Sequence, residues 1–400
     1  MSASPPHASF RVTRRSLLLG LGATLTVGHS RIAFAQAPGE RRCVVILLRG
    51  GLDGLHVVAP YGDPHHASLR RSIALAEPGR EGGLLDLGGY FGLHPALGRL
   101  HEMFRQGEAV FLHALAAPHR SRSHFEAQDL LEGGGERLMA SGWLNRALQA
   151  MPMTGPVRPG LAVGTGVPLL LRGPAPVGAY SPAGLDRPSP DLMYRLAALH
   201  DAEPRLNTAF REGMRARGFA EQTLGAGERE QERDSFPRLA AAAGRLLAEP
   251  RGPRIAALDL GGWDTHALQG PRIVPPLRAL DAGLAALRAA LGEHWAQTAV
   301  LVVTEFGRTA RVNGNAGTDH GTAGVAFLLG GSVAGGRVLA DWPGLAPTDL
   351  FEGRDLMPTG DVRAVAKAVL AEHLRLLPQA VAQAFPGSDT TPPMAGLFRG

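Results

Sequence analysis

Glu305, Asp319 and His320 fall within one short window, TEFGRTARVNGNAGTDHGT, where a carboxylate is followed by an Asp-His pair. Oxygen and imidazole ligands gathered this way suit a divalent metal ion. Three further windows carry similar chemistry. Asp264 and His266 stand two residues apart, so an extended chain turns both to the same side. Asp53 lies in the glycine turn Arg49-Gly50-Gly51-Leu52-Asp53-Gly54, and Ser123 precedes His124 in PHRSRSHFE. Carboxylates and histidines beside a free hydroxyl make a sensible layout for a two-metal site with a serine nucleophile. Each group also has a plainer use. Ser123 at a helix start is well placed as a cap. Asp53 suits an Asp-Gly turn, and Asp264 suits a cap after Trp263. Glu305 has Arg308 as a surface partner three residues on, while Asp319 suits a turn beside a solvated His320. His56 and His94 are read as structural histidines outside the metal set.

Positioning these residues requires strands. Arg42–Leu48, Ala109–Leu115, Arg254–Leu260 and Ala299–Val303 are short apolar runs of the kind buried on both faces of a parallel sheet. Each is followed by one of the four windows. In an open parallel sheet, ligands bind beyond the carboxyl ends of the strands, so parallel pairing would bring all four windows to one edge. Leu277, Leu280, Leu284, Leu287 and Leu291 mark a helix between the last two runs, and strand, helix, strand in this order predicts a parallel crossover. Phe125–Leu131 reads as a helix opened by Ser123. Pro95 opens another, with Leu97, Leu100 and Phe104 on its apolar face. Val325–Leu329 is a further strand, and a last helix runs from Thr359-Gly360-Asp361 to about Leu374. Between about residues 142 and 247 the pattern is less regular and reads as an insertion or cap over one end of the sheet. Leu161–Val163 and Pro168–Arg172 are its short strands, Ser189-Pro190-Asp191 is a helix start, and Gly227–Asp234 is a charged, exposed stretch.

The 400 residues suffice for a sizeable core, and a charged fraction of 19% fits a globular chain. Residues 1–35 hold Arg11, Arg14, Arg15 and Arg31 and no acid. Without those four the formal charge falls from +5 to +1, which argues against a nucleic-acid partner. Cys43 is the only cysteine, which leaves no internal disulfide and no thiolate metal cluster. Thr13-Arg14-Arg15-Ser16-Leu17-Leu18 resembles a twin-arginine export signal. A weakly apolar run to Val27 and the small-residue cleavage site Ala33-Phe34-Ala35 follow it. The expected organisation is a signal peptide over 1–35 and one domain over 36–400, periplasmic or secreted, with the export machinery as partner and no stable membrane span.

The signal together with LLRGGLDGLH, FGLHP, RSHFEAQD, LGGWDTH, VVTEFGRT and GTDHG, in this order, resembles the domain of unknown function 1501 family. The resemblance covers nearly the whole chain after residue 35. That family is grouped with the alkaline phosphatase-like superfamily, which includes phosphatases, sulfatases and cofactor-independent phosphoglycerate mutases. The resemblance implies an α/β/α sandwich around a mostly parallel central sheet and a metal-dependent hydrolase ancestry for phosphate or sulfate monoesters. It also implies a divalent metal (zinc, calcium, magnesium or manganese), Ser123 as nucleophile beside His124, and Asp53, Asp264, His266, Glu305 and His320 at the metal; Asp319 joins this set from its place beside His320. A formylglycine-type sulfatase is not expected, because Ser235-Phe236-Pro237-Arg238 has the wrong spacing for its maturation motif. The competing expectation is an exported, non-catalytic binding or accessory protein on the same fold.

Overall fold

The computed structural model describes residues 40–151, 159–164, 166–181, 223 and 235–400. In chain order the strands are β1 (Arg42–Leu48), β2 (Val58–Ala59), β3 (Leu85–Asp86), β4 (Gly92–Leu93), β5 (Ala109–Ala116), β6 (Gly160–Val163), β7 (Val177–Tyr180), β8 (Ile255–Leu260), β9 (Thr298–Thr304), β10 (Gly324–Leu329), β11 (Arg337–Leu339) and β12 (Gly360–Asp361). Strands β2, β4 and β3 make a small antiparallel sheet. The others form the main sheet in the order β11-β5-β10-β9-β1-β8-β6-β7, with β12 also paired to β5.

Within the main sheet only β10 runs against its neighbours, antiparallel to both β5 and β9; every other pairing is parallel. The expected order strand, helix, strand is present, but β8 and β9 do not pair with each other. They lie on either side of β1, which fills the centre of the sheet.

Alternation along β1 explains the layers. Val44, Ile46 and Leu48 face one core, shared with Leu277, Leu284 and Phe104. Cys43, Val45 and Leu47 face a second, shared with Leu144, Val365 and Phe385. Successive side chains of a strand point to opposite faces, so a wholly apolar run needs cover on both, and helices supply it. Helices α1 (Gly98–Arg105), α2 (His124–Gly133), α3 (Trp143–Gln149), α4 (Phe236–Ala248), α5 (Gln269–Leu291), α6 (Val362–Ala368) and α7 (Pro378–Ala384) complete an α/β/α sandwich. Among the described residues no helix is long and apolar enough to cross a membrane.

Two expectations are corrected here. Pro168–Arg172 is not a strand: Leu169–Leu171 form a 3-10 turn, with Leu170 and Leu171 buried in the core that contains Trp143 and Leu144. The second strand of that section is instead β7, paired in parallel with β6 at the edge of the sheet. The helical segment expected to end at about Leu374 is divided into β12, α6 and a π-helical turn over Val369–His373, with the Asp361 carboxylate accepting from Arg363 N–H at 2.8 Å at the start of α6. The helix start at Ser189 and the charged stretch Gly227–Asp234 lie outside the described residues.

Candidate metal centre

The carboxyl ends of β1, β5, β8 and β9 share one edge because these strands run the same way. Asp264 and His266 follow β8, Glu305 follows β9, and His124 opens α2 after β5. The antiparallel β10 begins where β9 ends, so the chain from Glu305 to Ala323, with Asp319 and His320, starts and finishes at that same edge.

Here three imidazoles meet one carboxylate. His266 Nε2, His320 Nε2 and His124 Nε2 lie 2.9, 3.2 and 3.5 Å from Asp264 Oδ1. His266 Nε2 is also 2.9 Å from His320 Nε2. His124, Asp264 and His320 each bring one ligand atom within 4.8 Å of the others. Donor atoms on a tetrahedral ion with bonds of about 2.0–2.1 Å stand about 3.3 Å apart, and the three contacts to Asp264 bracket that spacing.

Each ring is oriented through its other nitrogen. His124 Nδ1 donates to Glu305 Oε1 at 2.8 Å, His266 Nδ1 to Asp319 Oδ1 at 3.0 Å, and His320 Nδ1 to the Arg122 carbonyl at 2.7 Å. An acceptor at Nδ1 puts the proton of a neutral ring there and leaves a lone pair on Nε2. The Nε2 atoms therefore converge as acceptors, and the Arg308 guanidinium, 2.5 Å from Asp264 Oδ1, is the one cation beside them among the described residues. His124 Nε2 is buried and has no hydrogen-bond partner. A cation fits this arrangement of lone pairs.

The electrostatics keep the carboxylates ionised. Burial works to raise Asp264, but the Arg308 hydrogen bond and charge and the nearby His266 outweigh it and lower its pKa. Glu305 follows the same pattern: burial raises it, and hydrogen bonds from Gln128, His124 and Gly50 N–H bring it below the usual range. Asp319 is lowered too, against burial, by hydrogen bonds from His266 and Asn313. Burial, with the neighbouring His124 and Arg308, lowers His320 and favours the neutral ring that a metal requires.

Three expected ligands stand elsewhere. Glu305 is buried, and its oxygens are occupied by His124, Gln128 Nε2 (2.9 Å), Gly50 N–H (2.8 Å) and Thr304 Oγ1 (2.9 Å). It stands behind His124, and Arg308, its expected partner, reaches Asp264 instead. Asp319 stands behind His266 and also accepts from Asn313 Nδ2 at 3.2 Å. Asp53 belongs to a different network. Both its oxygens take the Arg70 guanidinium, at 2.7 and 2.9 Å, and Oδ2 also accepts from Gln269 Nε2 at 2.6 Å. Gln269 Oε1 in turn accepts from Thr265 and Thr318, the neighbours of Asp264, His266 and Asp319, so Asp53 braces the loops that carry the cluster. Ser123 is at the N-cap position of α2, exposed, with no capping bond from its side chain.

Sequence reasoning gave Arg308 only a surface pairing with Glu305 and gave Phe306 no part in the site. Arg308 is buried and also donates to the carbonyls of Gly50, Gly51, Trp263 and Thr318, tying three loops together. Phe306 packs against His124 and His320, ring centroids 4.9 and 4.8 Å away. The signal for both lay in their position directly after β9, where side chains reach the same edge as Glu305.

The fold and this cluster define an α/β/α sandwich protein with a histidine–aspartate centre at the carboxyl edge of its sheet. Residues 109–384 match the family described as protein of unknown function (DUF1501), and the chain belongs to that family. Similar solved structures include Ps i-CgsB in complex with k-i-k-neocarrahexaose, 11% identical over 88% of this chain and 77% of that chain, TM-score 0.41. The C-terminal periplasmic domain of EcEptC from Escherichia coli, in a complex with Zn, is 10% identical over 74% of each chain, TM-score 0.33. The phosphonate monoester hydrolase of Agrobacterium radiobacter is 12% identical over 84% of this chain and 74% of that chain, TM-score 0.33. No curated protein matches.

Proposed function

We propose that this chain is an exported, metal-dependent hydrolase of the alkaline phosphatase-like superfamily, acting on phosphate or sulfate monoesters. The observation that carries the proposal is the set of three imidazoles with Nδ1 committed and Nε2 turned toward Asp264. His124, Asp264 and His320 hold the ion, with His266 beside them. A ligand set this rich in nitrogen favours zinc or a similar transition metal over calcium or magnesium, which prefer oxygen. When bound, such an ion polarises the ester and makes a nearby hydroxyl more acidic.

The chain supplies the rest. Ser123 offers a hydroxyl that no capping bond engages, one residue before His124. Its oxygen attacks phosphorus or sulfur in line, the hydroxyl proton leaves with the displaced alcohol, and water then hydrolyses the serine ester to release phosphate or sulfate and restore Ser123. No side chain caps the first N–H groups of α2, and a helix end of this kind favours an anion. Arg14 and Arg15 direct export to the periplasm.

The test measures metal content by mass spectrometry together with turnover of aryl phosphate and aryl sulfate, for the wild type and Ser123→Ala. We expect stoichiometric metal in both proteins and turnover in the wild type alone. With no capping bond to lose, the variant should melt within a degree or two of the wild type. Wild-type turnover by Ser123→Ala would remove the nucleophile assignment. One observation favours the non-catalytic alternative: among the described residues no side chain hydrogen-bonds the Ser123 hydroxyl, so no general base is in place for it. A wild type that binds metal and turns over neither ester would select that alternative.

A further inference from the structure

Beside the amino-terminal half of α5, a cleft of about 780 Å³ opens between that helix and the segments around Ile73 and His94. Its size is that of a small-molecule site, which typically measures about 300–1,000 Å³. The imidazole cluster does not line it. Ile73 and Val274 give it apolar walls, and His56, His94, Arg99 and Arg278 give it polar ones.

The polar groups are unevenly satisfied. His94 Nδ1 accepts from Ala96 N–H at 3.0 Å, which places the ring proton on Nε2. That N–H has no partner among the described residues. His56 is 3% exposed, and its Nε2 is buried without a partner. Buried polar groups are normally paired, and an unpaired one costs free energy until something satisfies it. Burial holds both rings neutral, with pKa values lowered to about 3 for His56 and about 4 for His94. They therefore act as hydrogen-bonding groups, and the charge comes from the arginines. Arg99 pairs with Asp281 at 3.3 Å, whereas Arg278 is exposed and has no ion-pair partner among the described residues. Two guanidinium groups against one carboxylate leave the cleft with a positive surplus.

We propose that this cleft is a second ligand site, for an organic anion. The apolar body of the ligand lies between Ile73 and Val274. Its carboxylate, phosphate or sulfonate meets Arg278, and the His94 Nε2–H donates to it. The site is independent of the metal centre and of the ester hydrolysis proposed there.

The test is a fluorescence titration of the full chain with 8-anilinonaphthalene-1-sulfonate, an apolar body carrying one anion. The wild type is expected to show one saturable site. Its uncharged analogue, N-phenyl-1-naphthylamine, should bind at least tenfold more weakly. Arg278→Glu should weaken sulfonate binding at least tenfold, and Val274→Trp, which fills the cleft from the exposed side of α5, should abolish it. Both variants should melt near the wild type and keep its metal content. Binding that survives Arg278→Glu unchanged, or equal binding of the uncharged probe, overturns the anion assignment. Binding that survives Val274→Trp, or a wild type with no saturable site, overturns the cleft itself.

Discussion

At the scale of single residues, the centre depends on which nitrogen of each histidine is held. Glu305 is the most committed of the three Nδ1 acceptors, since it also takes donors from Gln128, Gly50 and Thr304. Partners of this kind fix the ring and raise its basicity, and losing one typically costs about 10–100-fold in metal affinity. Glu305→Gln should therefore keep the fold and weaken metal binding by about that factor, read by competition with a chelator of known affinity. His320→Ala removes a ligand imidazole outright and should lose more, and His266→Ala, which empties the place beside the ion, should also reduce bound metal. If Glu305→Gln binds as tightly as the wild type, Glu305 does not act through His124. The residue types at the strand ends were legible in the sequence, and the structure gathers His124, Asp264, His266 and His320 from them. Where each carboxylate spends its oxygens was not. Asp53, Glu305 and Asp319 all reach the edge, and only the packed chain shows Arg70 taking the first while imidazoles take the others. Arg308 was hidden for the same reason: its closeness in sequence to Glu305 says nothing of the loops it spans.

At the scale of elements, the turn after β1 holds the site together. Gly50 has φ +123°, a region that side chains rarely enter, and a Cβ there would meet Asp264 N at 2.7 Å. Its own N–H donates to Glu305. Only glycine meets both demands, the backbone angle and the close approach of the Asp264 loop. Gly50→Ala is expected to cost roughly 1–3 kcal/mol of stability and to weaken metal binding, because Asp264 must move. Calorimetry and metal titration on one sample would check both, and an unchanged melting point would refute the close approach. Apolar runs revealed β1, β5, β8 and β9 because buried strands show in composition. Hydrophobicity does not record which strand pairs with which. The insertion of β1 between β8 and β9 and the reversal of β10 follow from hydrogen-bond registers that no single run encodes. Pro168–Arg172 shows the converse: three leucines in a row mark burial, and a 3-10 turn can be buried as well as a strand.

At the scale of the whole molecule, two behaviours follow. Export is proposed to depend on Arg14 and Arg15. The double change Arg14→Lys with Arg15→Lys should hold the precursor in the cytoplasm, as read by fractionation and blotting; a mature periplasmic product would exclude the twin-arginine route. The second behaviour is acid sensitivity of the folded body. His56, His94, His113 and His373 are buried, and burial lowers them to about 3, 4, 4 and 4. His373 shows why the folded state refuses a second proton: Nε2 donates to the Arg42 carbonyl at 2.8 Å and Nδ1 accepts from Ser332 Oγ at 3.1 Å. In the unfolded chain such rings take up a proton near pH 6.5. Between about 6.5 and 4 the unfolded state therefore binds more protons, and stability falls as pH falls. The contribution is complete above pH 6.5 and is lost on acidification toward the folded values, with roughly 3–5 kcal/mol per histidine as an upper bound. The lowered carboxylates Asp53 and Asp264 act in the same direction at still lower pH. His94→Asn isolates one of these groups. Asparagine is a good capping residue and can still accept the Ala96 N–H, but it does not titrate. Urea unfolding from pH 7.5 to 4.5, with chelator present to remove any bound metal, should show a slope of stability against pH that is shallower in the variant by up to about 1.4 kcal/mol per pH unit. Equal slopes in the two proteins would mean that His94 takes up its proton without unfolding.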